Sequence, residues 1–97
     1  MLYTINNSSI TSNSLDSLLR IIPSGSPILL YEDGVYNAAE GARDAQKVKE
    51  VLKKHPVYAL EADVQARGVK SIIAGIQTIN YDGFVGLVED HEVVPWL

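Results

Sequence analysis

Apolar and polar residues follow one another along the chain in patterns that predict alternating strands and helices. Four apolar positions have the i, i+3, i+4, i+7 spacing of one buried helical face and predict a first helix over residues 14–22. These positions are Leu15, Leu18, Leu19 and Ile22. We expect Asn13 or a neighbouring serine to cap this helix, because these side chains accept hydrogen bonds from unpaired backbone N–H groups.

Short apolar runs bounded by turn residues predict four strands. They cover residues 2–6, 27–31, 56–60 and 77–79. The run at 27–31 is continuously apolar, which is typical of a strand covered on both faces in a parallel sheet. The apolar tail at 93–97 is assigned to no element, but it is too apolar to be an idle terminus.

Helical stretches are predicted between these strands. They follow Glu32-Asp33-Gly34, cover 44–54 and 61–67, and begin again after a capping residue, Asn80. The last of them has a wide apolar stripe: Tyr81, Phe84, Val85, Leu87 and Val88. Gly83 and Gly86 lie inside it and weaken it by ~1 kcal/mol each relative to Ala, which indicates close packing there.

The alternation of strands and helices favours one fold class. Helices that connect successive strands cover the faces of a parallel sheet. We therefore predict one domain over 1–97, an α/β fold with α/β/α layers around a small, mostly parallel sheet.

Charge and cysteine content narrow the function. The formal net charge of −4 disfavours direct nucleic-acid binding, which depends on Lys and Arg contacts to phosphates. The basic run at 47–54 is expected to be a solvated helix face.

The chain has no cysteine, so it has no disulfide, no Cys-based zinc site and no thiolate nucleophile. No signal peptide and no membrane-spanning run are evident, so we expect a cytoplasmic location without membrane contact.

Acidic residues follow two predicted strands, at the end where parallel α/β sheets bind ligands. Glu32 and Asp33 follow the most apolar strand, where paired carboxylates are suited to acid–base chemistry or to holding a metal. The favoured interpretation is that Asp33 caps the next helix while Glu32 lies in solvent. Glu61 and Asp63 follow the next strand, where a helix N-terminus favours carboxylates without any catalytic role. Arg67 is interpreted as a helix-dipole partner or salt-bridge donor, with anion binding as the alternative.

Other catalytic patterns are absent from the sequence. His55 and His91 have no metal-ligand spacing, and there is no nucleophile elbow, dinucleotide fingerprint or phosphate loop. The residues themselves therefore predict no catalytic residue, no metal and no cofactor.

Four segments, in order, resemble the TusB/DsrH family along nearly the whole chain. They are LYTINNS at 2–8, LLYEDGV at 29–35, VYALEADVQARG at 57–68 and INYDGFVGL at 79–87. The third is the most specific. The family usually has a histidine where Tyr3 stands, and it tends to finish with a tryptophan, here Trp96.

This resemblance implies a fold of the DsrE/DsrF/DsrH type and a non-catalytic place in a sulfur relay. Two related subunits, TusC- and TusD-like, are expected with this chain in a dimer of heterotrimers. Upstream and downstream sulfur carriers would act through that complex, which supports 2-thiouridine formation at the tRNA wobble position. Sulfur-oxidation members often carry a cysteine on the first helix, where Leu18 stands here.

Partner contacts are expected at the end of the second strand, on the last helix and on the tail. The candidate residues are Tyr31, Glu32, Asp33, Phe84, Trp96 and Leu97. Three alternatives remain: a DsrH-like subunit of a sulfur-oxidation relay, a small-molecule or nucleotide-binding α/β module, and a hydrolase that uses Glu32, Asp33 or Asp63.

Overall fold

Five strands lie side by side in one sheet, and every neighbouring pair is parallel. The computed structural model describes residues 1–8 and 12–96, without the side chains of 12–14. The strands are β1 (Leu2–Ile5), β2 (Ile28–Leu30), β3 (Val57–Leu60), β4 (Gln77–Ile79) and β5 (Val93–Pro95), in the spatial order β4-β3-β2-β1-β5. The predicted α/β class with a mostly parallel sheet is confirmed.

The helices lie where the sequence predicts helical stretches, with ends that differ by up to two residues. They are α1 (Ser12–Ile21), a 3₁₀ helix (Glu32–Ala38), α2 (Ala45–Leu52), α3 (Glu61–Ala66) and α4 (Tyr81–Asp90). The predicted cap at Asn13 or a neighbouring serine falls on side chains outside the described part of the chain. The segment after β2 is a 3₁₀ helix, a tighter form that is used in short pieces.

One face of the sheet carries the main core. Alternate residues of β1, β2 and β3 pack there against α1, the 3₁₀ helix, α2 and α3. The largest contributions include Ile5, Leu18, Ile28 and Val35, each at most 2% exposed. Leu18 is therefore a core residue.

The strand order places α4 on the opposite face of the sheet. β1 to β4 advance in one direction across the sheet, whereas the connection from β4 to β5 returns past β1. Parallel crossovers are almost always right-handed, so this reversal puts α4 on the other side from the remaining helices. Leu2 and Leu29 are fully buried without belonging to the main core cluster, which agrees with cover from that side.

The apolar tail forms the edge strand β5. Its residues pair with β1, and the amide of Trp96 donates to the carbonyl oxygen of Thr4 at 2.9 Å. Trp96 also packs, partly buried, against the main core. The sequence predicted a role for the tail but no strand, because a three-residue strand is too short to show a period.

The basic run is largely exposed, as predicted, with Lys47 and Lys49 on α2 and Lys53 and Lys54 directly after it. Lys47 bridges Asp16 on α1 at 2.7 Å and Glu50 at 2.9 Å, and Lys49 pairs with Glu40 at 3.1 Å. Among the described residues, no helix is long and apolar enough to span a bilayer.

Candidate functional site

The carboxyl ends of the five strands meet at one edge of the sheet, which we call the carboxyl edge. Tyr31 follows β2 and Trp96 follows β5, on either side of β1. The amide of Tyr31 donates to the carbonyl oxygen of Ile5 at 3.1 Å, and that of Trp96 donates to Thr4. The structure thus brings these two predicted contact residues to the two sides of one strand end.

An ion-pair network at this edge joins the 3₁₀ helix that follows β2 to α3, which follows β3. Arg67 at the end of α3 donates from Nε to Oδ1 of Asp33 at 2.8 Å, and from Nη1 to Oδ1 of Asp63 at 3.3 Å. The hydrogen bond to Asp33 is the main cause that raises the pKa of Arg67 above its ordinary value. Arg67 is therefore a salt-bridge donor, and both carboxylates are engaged in holding two elements together.

The expectation that Asp33 caps the following helix is wrong. The helix begins at Glu32 after Tyr31, which makes no side-chain cap bond, so Asp33 lies inside the first turn. The carboxylate of Asp33 is instead held by Arg67. The amide of Glu32 is satisfied from α3, because Asp63 Oδ2 accepts its hydrogen bond at 2.7 Å.

Glu32 has an unusual backbone conformation. Its φ of 48° lies in the left-handed region, which is costly for a residue with a side chain and persists where the surroundings hold it. The bond from its amide to Asp63 is one such restraint, and its carboxylate is exposed. The turn therefore presents an acidic side chain from a fixed backbone. No local sequence pattern predicts this conformation.

Phe84 lies near the start of α4, which itself begins at the carboxyl edge. Its ring centroid is 6.0 Å from that of Tyr81, and it is half-buried, whereas Tyr81 is 71% exposed. The predicted cap is confirmed, since Asn80 Oδ1 accepts a hydrogen bond from the amide of Gly83 at 2.9 Å. Leu97, the remaining candidate contact, lies outside the described residues.

An open cleft of about 510 Å³ lies beside the end of β1, and sequence reasoning missed it. Its lining includes Ser8, Tyr36, Asn37 and Arg43. Asn37 is buried and donates from Nδ2 to the carbonyl oxygens of Asn7 and Gly34, so it fixes one wall. Arg43 is paired with its neighbour Asp44, so its charge is not directed at the cleft alone. No local sequence pattern marks this cleft.

Within residues 1–8 and 12–96, no group of three or more His, Asp or Glu residues is placed to hold a metal ion. His55 is buried with Nδ1 3.0 Å from the carbonyl oxygen of Ser26, and His91 makes the same contact to Leu87 at the end of α4. Both histidines thus have structural partners.

Comparisons with known proteins match this chain to one family. A family model described as DsrH like protein matches residues 7–94. The chain is 42% identical over 94 residues to Protein TusB of Cronobacter sakazakii and 37% identical to Protein TusB of Serratia proteamaculans, with 94% of each chain covered.

Solved structures share the fold. Protein MTH1491 from Methanobacterium thermoautotrophicum, described as of unknown function, has a TM-score of 0.70 over 97% of this chain and 94% of its own, at 13% identity. Protein Tm0979 from Thermotoga maritima has a TM-score of 0.60 over 95% of both chains, at 23% identity. From the family match and its curated relatives, the chain belongs to the TusB/DsrH family.

Proposed function

We propose that this protein is a cysteine-free, non-catalytic subunit of a cytoplasmic TusBCD-like sulfurtransferase complex. In this proposal it assembles with two related subunits, TusC- and TusD-like, as a dimer of heterotrimers. The complex relays persulfide sulfur between carrier proteins toward 2-thiouridine at the tRNA wobble position. The observation that carries the proposal is the identity of 36–42% to proteins named TusB over nearly the whole chain.

The lack of cysteine favours a structural rather than a sulfur-carrying role for this chain. A persulfide forms on a cysteine thiolate, and this chain has no cysteine. The resemblance implies that sulfur-oxidation members often carry a cysteine where Leu18 stands, and Leu18 is fully buried in the core. A subunit of this kind acts by completing the assembly and shaping the surroundings of a sister subunit's cysteine.

The carboxyl edge and α4 provide the proposed contacts. Tyr31, Glu32, Asp33, Phe84 and Trp96 are offered as partner-contact residues, together with Leu97. The Arg67 network holds the backbone around Glu32, so this acidic tip is ordered before a partner arrives. Such preorganisation reduces the entropy lost on binding.

Copurification tests the proposal. The chain is tagged at its native expression level, purified from its own organism, and compared with an equally tagged unrelated protein of similar size. We expect two related chains, at least one bearing a cysteine, to copurify in equal amounts, with native mass spectrometry showing two copies of each. Recovery of the chain alone would contradict the proposal. Turnover of a substrate by the isolated chain would favour the hydrolase alternative.

A further inference from the structure

The helix α4 has a wide apolar arc, yet none of its residues is fully buried. With 3.6 residues per turn, its apolar residues span an arc of about 160°. Phe84, Val85, Leu87 and Val88 are all half-buried, and no residue of α4 is buried. In contrast, α1 and α2 both place several residues in the core. The sheet therefore covers α4 incompletely.

The negative charge of the protein is concentrated around this helix. Through Lys70 the chain carries eight carboxylates and eight Lys or Arg residues, which cancel. The remainder carries four carboxylates and no Lys or Arg, and so accounts for the whole formal net charge of −4. The four are Asp82, Glu89, Asp90 and Glu92. Within the described residues, none of them forms an ion pair.

Three of these carboxylates lie on the outer side of α4 together with a glycine. By helical periodicity, Asp82, Glu89 and Asp90 project on the side opposite the centre of the apolar arc, and Gly86 lies among them. We call these four residues, with the half-buried apolar residues beside them, the α4 surface.

Gly86 has no role that the fold of this chain explains. A Cβ atom at Gly83 would approach the Cβ of Ile79 to 3.1 Å, so close packing accounts for that glycine. A Cβ atom at Gly86 would have no atom within 4 Å. A glycine inside a helix lowers the stability of the helix relative to an alanine. No described contact of Gly86 within this chain offsets that loss.

We propose that the α4 surface docks a different protein chain, one that carries Lys or Arg opposite Asp82, Glu89 and Asp90 and apolar side chains opposite the half-buried residues beside them. Gly86 lets the backbone of that chain approach closely. The inference rests on the proposed function in taking this chain to be a sister subunit. Charge decides against a second copy as the occupant, because symmetric pairing of α4 surfaces would bring like carboxylates together.

Two single substitutions separate docking from folding. Gly86→Ala fills open space with a better helix former, and Glu89→Lys places a positive charge in the last turn of α4, where the helix dipole favours it. Neither should lower the Tm of the isolated chain, which circular dichroism measures. Glu50→Lys is the control, since it makes the same charge change at an exposed position in the last turn of α2, which packs on the other face of the sheet.

The complex is then purified with each tagged variant, and the affinity for the recovered partners is measured at low and high salt. We expect Gly86→Ala and Glu89→Lys each to weaken partner binding at least about tenfold while Glu50→Lys binds as the wild type does. High salt should weaken the wild-type complex, because it screens the attraction between these carboxylates and the partner's Lys or Arg side chains.

The possible outcomes distinguish a failure of the α4 inference from a failure of the proposed function. If both variants bind the recovered partners with the affinity of the wild type, the α4 inference is overturned and the proposed function remains intact. A wild-type chain that recovers no related partner would overturn both. A homodimer of the isolated chain that Glu89→Lys disrupts would identify a second copy as the occupant and contradict the proposed partner chemistry.

Discussion

Arg67 donates a hydrogen bond from Nε to Oδ1 of Asp33, 2.8 Å away, and so joins two residues that are 34 positions apart. Both residues belong to segments that the sequence marks as family elements, the one at 29–35 and the one at 57–68. The bond fixes the end of α3 against the 3₁₀ helix, and Asp63 extends the same network to the amide of Glu32. The two segments therefore form one structural unit at the carboxyl edge.

Replacing Asp33 by Asn distinguishes the ion pair from the cap. Asn is as good a cap as Asp, so a capping role would leave the Tm unchanged. Because Asp33 instead pairs with Arg67, we expect Asp33→Asn to lower the Tm, by less than about 5 °C since exposed pairs contribute little. High salt should reduce the difference between the variant and the wild type.

A double-mutant cycle completes this test. Arg67→Met together with Asp33→Asn should lower the Tm by less than the sum of the single changes, since each already breaks the same bond. Strictly additive effects would show that the two side chains do not interact in solution.

Gly34 is required by the close approach of β1. A Cβ atom there would overlap the carbonyl oxygen of Ile5 and lie 3.2 Å from the Cα of Asn6. We expect Gly34→Ala to lower the free energy of unfolding in urea by about 3 kcal/mol or more, because backbone atoms must move. Gly41→Ala, whose Cβ meets nothing within 4 Å, is the control and should change it by less than about 0.5 kcal/mol. Equal stability of the two variants would contradict this account.

Trp96 anchors β5 to the rest of the sheet. Its side chain packs against the main core, and its amide bonds to β1. We expect Trp96→Ala to lower the free energy of unfolding by about 2 kcal/mol, the scale of burying a large apolar side chain. Val93→Ala, at a residue that is 42% exposed, should have a smaller effect. If Trp96→Ala unfolds at the same urea midpoint as the wild type, the side chain of Trp96 does not stabilise the fold.

Lys47 links α1 to α2 in a pH-dependent way. Its hydrogen bonds to Asp16 and then to Glu50 raise its pKa above the ordinary value of 10.5. A group whose pKa is raised by folding stabilises the protein fully below its unfolded pKa, and this contribution is lost as the pH rises through the folded pKa. The Tm of Lys47→Met should therefore be below that of the wild type at neutral pH, and the gap should narrow above pH 10.5.

Lys53→Met serves as the matched control, because Lys53 is an exposed lysine at the end of the same helix. The difference in Tm between Lys53→Met and the wild type should not narrow above pH 10.5. A gap for Lys47→Met that stays constant from neutral pH to about pH 11 would exclude the charged bridge as its cause.

The sequence predicts the fold well because its elements have strong local signals. The apolar spacing that includes Leu15 and Leu18 gives α1, and Asn80 marks the start of α4. The strand at the tail escapes prediction because three residues have no measurable period, and their pairing depends on β1, about ninety residues away in sequence.

The candidate site is less predictable because its contacts are tertiary. The role of Asp33 depends on Arg67, and the left-handed backbone of Glu32 depends in part on Asp63, which is 31 positions away. Local preference favours a cap for Asp33, and the tertiary ion pair overrides it. Likewise, the apolar stripe of α4 is visible in the sequence, whereas its incomplete burial depends on how the sheet crosses beneath it.

The most direct test of the account is nucleoside mass spectrometry of tRNA from a strain that lacks this chain, complemented with the wild type or with Gly86→Ala. We expect 2-thiouridine to be lost in the deletion strain although the chain has no sulfur-carrying thiol. The wild type should restore it fully, and Gly86→Ala should restore it only in part despite an unreduced Tm. Normal 2-thiouridine in the uncomplemented deletion would contradict the thiouridine function and favour the sulfur-oxidation alternative.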